Sequence, residues 1–372
     1  MVAHNFVQVN HLWRGIAERF LYSALYVEEE WRLQRFIDTV KQNPNLAEQL
    51  RTLVIMPPSD VEASFFNPLV VQVLGLCHGI VAIVVRPYLM SNSLHLCQFP
   101  DSSRRLQLLS TKLSAFMMNF NSYSSLQVLE LSVGAIGGYA FPSFPDHITF
   151  PFLHTLILKF RDIEQLALNI IGMWELPSLK ALSISRWILR FSIALLPLIQ
   201  RSYERLEFFD TSLNILHDRA FHDIIRTPPF HLRNISFDLG QFTYPPPPMY
   251  PATNLFFGNV TTLGIRNFQQ ISPETEPAWV QFFSDPTYMP HLRSVLTDMT
   301  KRTLYQWFHS SIPLLDILRS FEKVLEERGV VFKGVMDDYS SFVPIELLRR
   351  DILKVSMSLF SNGSMLISSP VS

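Results

Sequence analysis

One short apolar pattern returns along this chain at an almost fixed interval, and that recurrence constrains the fold more than any other feature. The stretches LQVLEL from Leu126, LHTLIL from Leu153, LKALSI from Leu179, LEFFDT from Leu206, LRNISF from Leu232 and VTTLGI from Val260 start 27, 26, 27, 26 and 28 residues apart. Each reads apolar, two variable, apolar, one variable, then usually apolar. The fourth and sixth positions are two apart and point to one side of an extended chain, so each stretch is predicted to be a strand. Weaker copies begin at Tyr22, Leu50, Ile80 and Leu292. No unit can bury its apolar side alone, so the units must stack in chain order around a shared core. With 48% hydrophobic and 17% charged residues, the chain has the apolar surface to do so.

Helix-like runs separate the strands. In WRLQRFIDTVKQNPNL the residues Leu33, Phe36, Ile37 and Val40 form one apolar stripe that stops at Asn43-Pro44. The stretch LVVQVLGLCHGIVAIVV, Leu69 to Val85, is at the short edge of membrane-spanning length and is broken by Gln72, His78 and Gly79. It reads as a helix ended by a left-handed turn at Gly79, then a buried strand from Ile80 to Val85. A gap of 46 residues separates the Ile80 and Leu126 starts. A strand SLHLCQF and a helix SSRRLQLLSTKLSAFMMNF are expected there, as one irregular unit or as two. After Met336 comes VPIELLRRDILKVSMSLF, with Pro344 at a first helical turn and Ile345, Leu348, Ile352 and Val355 on one stripe. That helix is expected to cover the open C-terminal end of the array. One strand plus one helix per 26 to 28 residues falls within the leucine-rich-repeat range. The expected fold class is therefore α/β, a leucine-rich-repeat solenoid with a curved parallel sheet and outer helices.

Charge and chemistry narrow the function. A net charge of -1, from 31 basic and 32 acidic residues, gives no basic excess for nucleic acid or for an anionic membrane. Two cysteines, Cys77 and Cys97, make neither a disulfide framework nor a C-x-x-C zinc site, so a reducing compartment, cytoplasm or nucleus, is expected. The first residues have neither the basic start nor the apolar run of a signal peptide. No nucleophile elbow, dinucleotide fingerprint or Walker loop is present, so no enzyme, catalytic residue or cofactor is expected. In HDRAFHD the histidines His217 and His222 are five apart rather than four, so no metal site is expected. The run TYPPPPMYP contains Pro247, Pro248 and Tyr250 in the PPxY spacing that WW domains read. The same prolines also suit a stiff loop between repeats.

Alternation within the strands predicts a binding face. The third, fifth and seventh template positions point away from the helix-covered core and line up as columns. One column reads Glu130, Ile157, Ser183, Asp210, Ser236 and Gly264; the next reads Ser132, Lys159, Ser185, Ser212, Asp238 and Arg266. This mixed surface suits a protein, with Lys159, Asp210, Asp238 and Arg266 as candidate contacts for an unknown protein substrate.

The start of the chain carries a resemblance. VNHLWRGIAERFLYSALYV, leading into LQRFIDTVKQNPNLAEQLRTLVI, resembles the second half of an F-box followed by the first repeats of a fungal F-box/leucine-rich-repeat protein. The matching residues are Val9, Trp13, Arg14, Ile16, Ala17, Leu21 and Tyr22; the leucine-proline segment that opens such a box does not precede them. The segment LLDILRSFEKVLEERGVVFKGV looks like the last helix and strand of such a protein. The resemblance implies a partial F-box-like helix over 1–21, a repeat array over 22–335 and a helical cap and tail over 336–372. It further implies a Skp-type adaptor of a cullin-RING ubiquitin ligase, bound through Val9, Trp13, Arg14, Ile16 and Leu21, with a protein substrate held on the repeats. As alternatives, Val9, Trp13 and Phe20 close the first repeat, or the chain is a repeat scaffold without a ligase role.

Overall fold

The computed structural model describes residues 22–56, 60–85, 106–112, 123–133, 148–160, 165–185, 192–224, 231–239, 257–299 and 312–334. The candidate adaptor residues Val9, Trp13, Arg14, Ile16 and Leu21, the PPxY residues Pro247, Pro248 and Tyr250, and the C-terminal stripe fall outside them. The chain divides into two compact units, Met1–Ser132 with Leu348–Ser372, and Val133–Leu347.

The first unit carries β1 (Ala24–Val27), β2 (Thr52–Ile55), β3 (Ala82–Val85), β4 (Leu108–Lys112) and all but the last residue of β5 (Val128–Val133). Its described helices are α1 (Glu30–Gln42) and α2 (Asp60–Leu76). The second carries β6 (Thr155–Phe160), β7 (Ala181–Ile184), β8 (Phe208–Ser212), β9 (Asn234–Asp238), β10 (Thr262–Arg266), β11 (Ser294–Thr297) and β12 (Val331–Lys333). Its described helices are α3 (Gln165–Gly172), α4 (Ser192–Ser202), α5 (Arg219–Ile224), α6 (Glu276–Ser284) and α7 (Ile312–Glu327). Within each unit, every described strand pairing is parallel and joins consecutive strands. The chain order expected from the repeats is the order observed.

A single backbone device repeats at nearly every described pairing. The carbonyl of the residue before each strand's third template position accepts two amides from the next strand: Ser23 O from Arg51 and Thr52, Arg51 O from Val81 and Ala82, and Val81 O from Gln107 and Leu108. In the second unit the same holds for Lys180 O, Glu207 O, Arg233 O and Thr261 O. Before the strand, the amide of the first template residue donates to a carbonyl three residues back, as in Leu153 to Phe150, Leu179 to Leu176, Leu206 to Tyr203 and Val260 to Phe257. Both ends of each such turn are buried. The leucine seats the turn in the core and the turn sets the strand's start, so the spacing of the leucines fixes the register.

The fourth and sixth positions face helices. Phe209 stacks on Phe221 of α5 with ring centroids 6.5 Å apart. Phe237 meets Phe257 at 5.9 Å, and Phe257 meets Phe282 of α6 at 6.2 Å. Arginines join successive repeats by closing carbonyls that the helix ends leave open. Arg201 donates to Gly172 O at 2.5 Å and to Trp174 O at 3.1 Å, and Arg328 donates to Phe283 O at 2.6 Å and to Met289 O at 3.0 Å. In α1 the buried residues are Leu33, Phe36, Ile37 and Val40, the stripe read from the sequence.

Two local expectations are corrected. The stretch expected to be a helix after Ser102 contains the strand β4, which pairs with β3 and β5, so the 46-residue gap holds two units. Its LQLLST is a further copy of the template, read as helical because its leucines also suit a helix period. The second correction concerns Gly79, which does not turn left-handed; among the described glycines only Gly329, after α7, has a positive φ, 69°. Gly79 is small for a different reason: an added Cβ would lie 2.8 Å from Arg51 Nη1 and 3.0 Å from Glu48 O. Among the described residues no helix is long and apolar enough to cross a membrane.

Candidate functional site

The strand register assembles the predicted columns. Ile157, Ser183, Asp210, Ser236 and Gly264 are successive Cα partners across β6 to β10, and Ser212, Asp238 and Arg266 are partners across β8 to β10. The first column was expected to be open, and it is buried: Asp210 is 5% exposed, and Ile157, Ser183 and Ser236 are buried with it. Parallel strands stand only about 4.8 Å apart, so short side chains in mid-column are screened by their neighbours.

Asp210 is the centre of the arrangement. Ser183 Oγ donates to its Oδ2 at 2.7 Å, and Arg266 Nη2 donates to its Oδ1 at 2.8 Å. Arg266 stands two strands away, on β10, and crosses β9 to reach it. The column it crosses carries only Ser236 and Gly264, whose small size leaves the guanidinium room. On the way Arg266 Nη1 comes within 3.8 Å of Asp238 Oδ2. Asp238 also accepts from Asn267 Nδ2 at 2.6 Å.

A fourth charged group joins from β11. Asp298 follows Thr297, the Cα partner of Ile265, and is buried. Its Oδ2 accepts the backbone amide of Asn267 at 2.7 Å, and its Oδ1 faces that of Phe268 at 3.4 Å. Asn267 has a left-handed backbone, φ 57°, which turns both amides toward the carboxylate. Three carboxylates thus surround one guanidinium, with an excess of negative charge.

Burial pushes the Asp210 carboxyl above its ordinary range. Arg266 and the Ser183 hydroxyl work against that rise, and Asp238 adds to it. Ser236 turns its hydroxyl toward the same carboxylate and favours its charge, although outside good hydrogen-bond geometry. Asp298 is also raised by burial, against the pull of the amides of Asn267 and Phe268 and of nearby Arg266. Arg266 Nε is buried without a hydrogen-bond partner.

Of the four predicted contacts, the structure brings Asp210, Asp238 and Arg266 together. Lys159 is exposed on β6, two strands before β8. Sequence reading missed Asp298 and Asn267. Extending the second column from LRSVLT by one residue would have found Asp298. The arrangement holds charge and offers a partly exposed rim, Asp238 and Arg266, to polar or basic groups of a partner. Among the described residues no group of three or more His, Cys, Asp or Glu is placed to hold a metal ion.

In the first unit the equivalent face has another character. Val54, Ala82, Val84, Leu108 and Val128 form one apolar cluster there, beside buried Ser110 and Glu130. Scanned against protein-family models and against curated proteins, the chain matches none.

Proposed function

We propose that this chain is a non-enzymatic F-box-like leucine-rich-repeat protein, the substrate-recognition subunit of a Skp-cullin-F-box ubiquitin ligase. What supports the reading most is the chain-ordered parallel pairing of the repeats, each strand feeding the next through the same carbonyl. In such an array the face away from the helices carries the partner. The charged group of Asp210, Asp238, Asp298 and Arg266 marks where a protein target with basic groups would be held in the second unit. Adaptor contact falls to Val9, Trp13, Arg14, Ile16 and Leu21, whose pattern carries the family resemblance.

Co-purification of the full chain with a Skp-type adaptor, compared with Trp13→Ala, tests the ligase role. Adaptor capture lost on that substitution supports it, and no capture by either chain overturns it. The second reading is a protein-interaction scaffold without a ligase role, in which the repeats alone carry the function. It keeps the same partner face and predicts no adaptor.

A further inference from the structure

The edge where the strands of the second unit begin carries a basic strip outside the Asp210 group. Two repeats open with the same three residues, His231 to Arg233 before β9 and His291 to Arg293 before β11. In each, the leucine is buried, and the histidine and arginine on either side of it are exposed. Asn259 and Thr261 hold the same places before β10 and are half-buried. The backbone fixes their alignment. Arg233 O accepts the amides of Thr261 and Thr262, and Thr261 O accepts those of Arg293 and Ser294, so the two arginines stand at equivalent points two strands apart. Parallel strands are spaced about 4.8 Å, which separates the two backbones by about 9.6 Å.

Two carboxylates that come close in register or in sequence are already engaged. Glu207, before β8, is 2.8 Å from Lys180 Nζ. Asp285 accepts the amide and the hydroxyl of Thr287 and faces Arg328. Arg233 Nη1 donates to Asn259 O at 3.0 Å, which directs its guanidinium along the edge toward the next repeat. Among the described residues neither Arg233 nor Arg293 pairs with a carboxylate.

We propose that this strip binds an acidic, extended segment of a partner protein, with one carboxylate on Arg233 and another on Arg293. A guanidinium takes a carboxylate through two parallel hydrogen bonds, and the flanking histidine rings add donors. A segment in polyproline II form turns every third side chain to the same side at intervals of about 9.3 Å, so acidic residues three apart match the two arginines. The whole chain has a net charge of -1, so the basic character is local, and a nucleic-acid backbone, held by many cations at once, is the poorer fit. This contact is independent of the ligase reading and of the Asp210 group.

Fluorescence anisotropy on the full chain tests this, with a labelled peptide of four Glu-Pro-Pro repeats as the probe. The peptide binds, and Arg233→Ala with Arg293→Ala together weaken it at least about fivefold through the loss of two exposed ion pairs. Arg319→Ala with Lys323→Ala removes the same charge from exposed positions of α7 and leaves binding within about twofold. No binding up to about 1 mM peptide overturns the proposal. So does equal weakening by both pairs of substitutions, which would make the attraction a property of net charge. Tighter binding of a short single-stranded RNA, lost on the same two arginine substitutions, overturns it too and assigns the strip to nucleic acid.

Discussion

Arg266 on β10 reaches across β9 to bond Asp210 on β8 at 2.8 Å, so one ion pair spans three strands of the second unit. Asp210 is buried, and its charge depends on that reach. Substituting Arg266→Ala leaves a buried carboxylate without its cation and lowers unfolding stability by about 3–5 kcal/mol, measured by urea titration. Replacing both residues together, Asp210→Leu with Arg266→Met, removes the charge and its partner at once. The double variant lies within about 1 kcal/mol of the native chain, and a double as unstable as Arg266→Ala would contradict this account.

Asp298 predicts a pH dependence with a definite sign. Burial raises its folded pKa above the ordinary value near 4, so the folded chain holds this proton more tightly than the unfolded chain. Its contribution to stability is fully present below about pH 4 and is lost as the pH climbs through the raised value. Asp298→Asn cannot titrate. The stability of the native chain relative to this variant therefore declines from about pH 4 upward and then levels, as read from urea midpoints across pH. A relative stability that rises with pH would refute it.

Gly172 sets the approach of α3 to α4. A Cβ at this position would lie 1.9 Å from Ala194 O, a backbone atom that cannot swing aside. The Gly172 carbonyl is also tied to Arg201. Gly172→Ala must push the helices apart and costs about 1–3 kcal/mol, despite alanine's better helix propensity. Thermal melting of the two chains checks it, and equal or higher stability in the variant would mean that α4 can move.

Cys77 is buried at the end of α2, and burial pushes its thiol up to about 11. At pH 8 it is almost wholly protonated, so it reacts with a thiol reagent slowly in the folded chain and rapidly in urea. The reaction is followed by mass on the peptide that contains Cys77. Rapid native labelling there would place the residue in an open environment.

The strands were legible because each unit repeats its own local instructions. Leucine at the first position, apolar residues at the fourth and sixth, and a period of 26 to 28 residues leave one way to bury every unit. LQLLST escaped because its leucine spacing satisfies strand and helix alike; its pairing with both neighbours decided the matter. The columns were legible too, since alternation and a common register are properties of the strand.

By itself, then, the sequence determined the repeat, the parallel order and which residues share a column, all of which follow from periodicity. Only the tertiary structure decided what those columns became. Asp210 is buried because its neighbours crowd it and Arg266 lies across it, Asp298 enters because Asn267 turns left-handed, and the first unit's apolar cluster is buried. Periodicity states which way a side chain leaves its strand; how far it reaches, and what covers it, depends on residues distant in the chain.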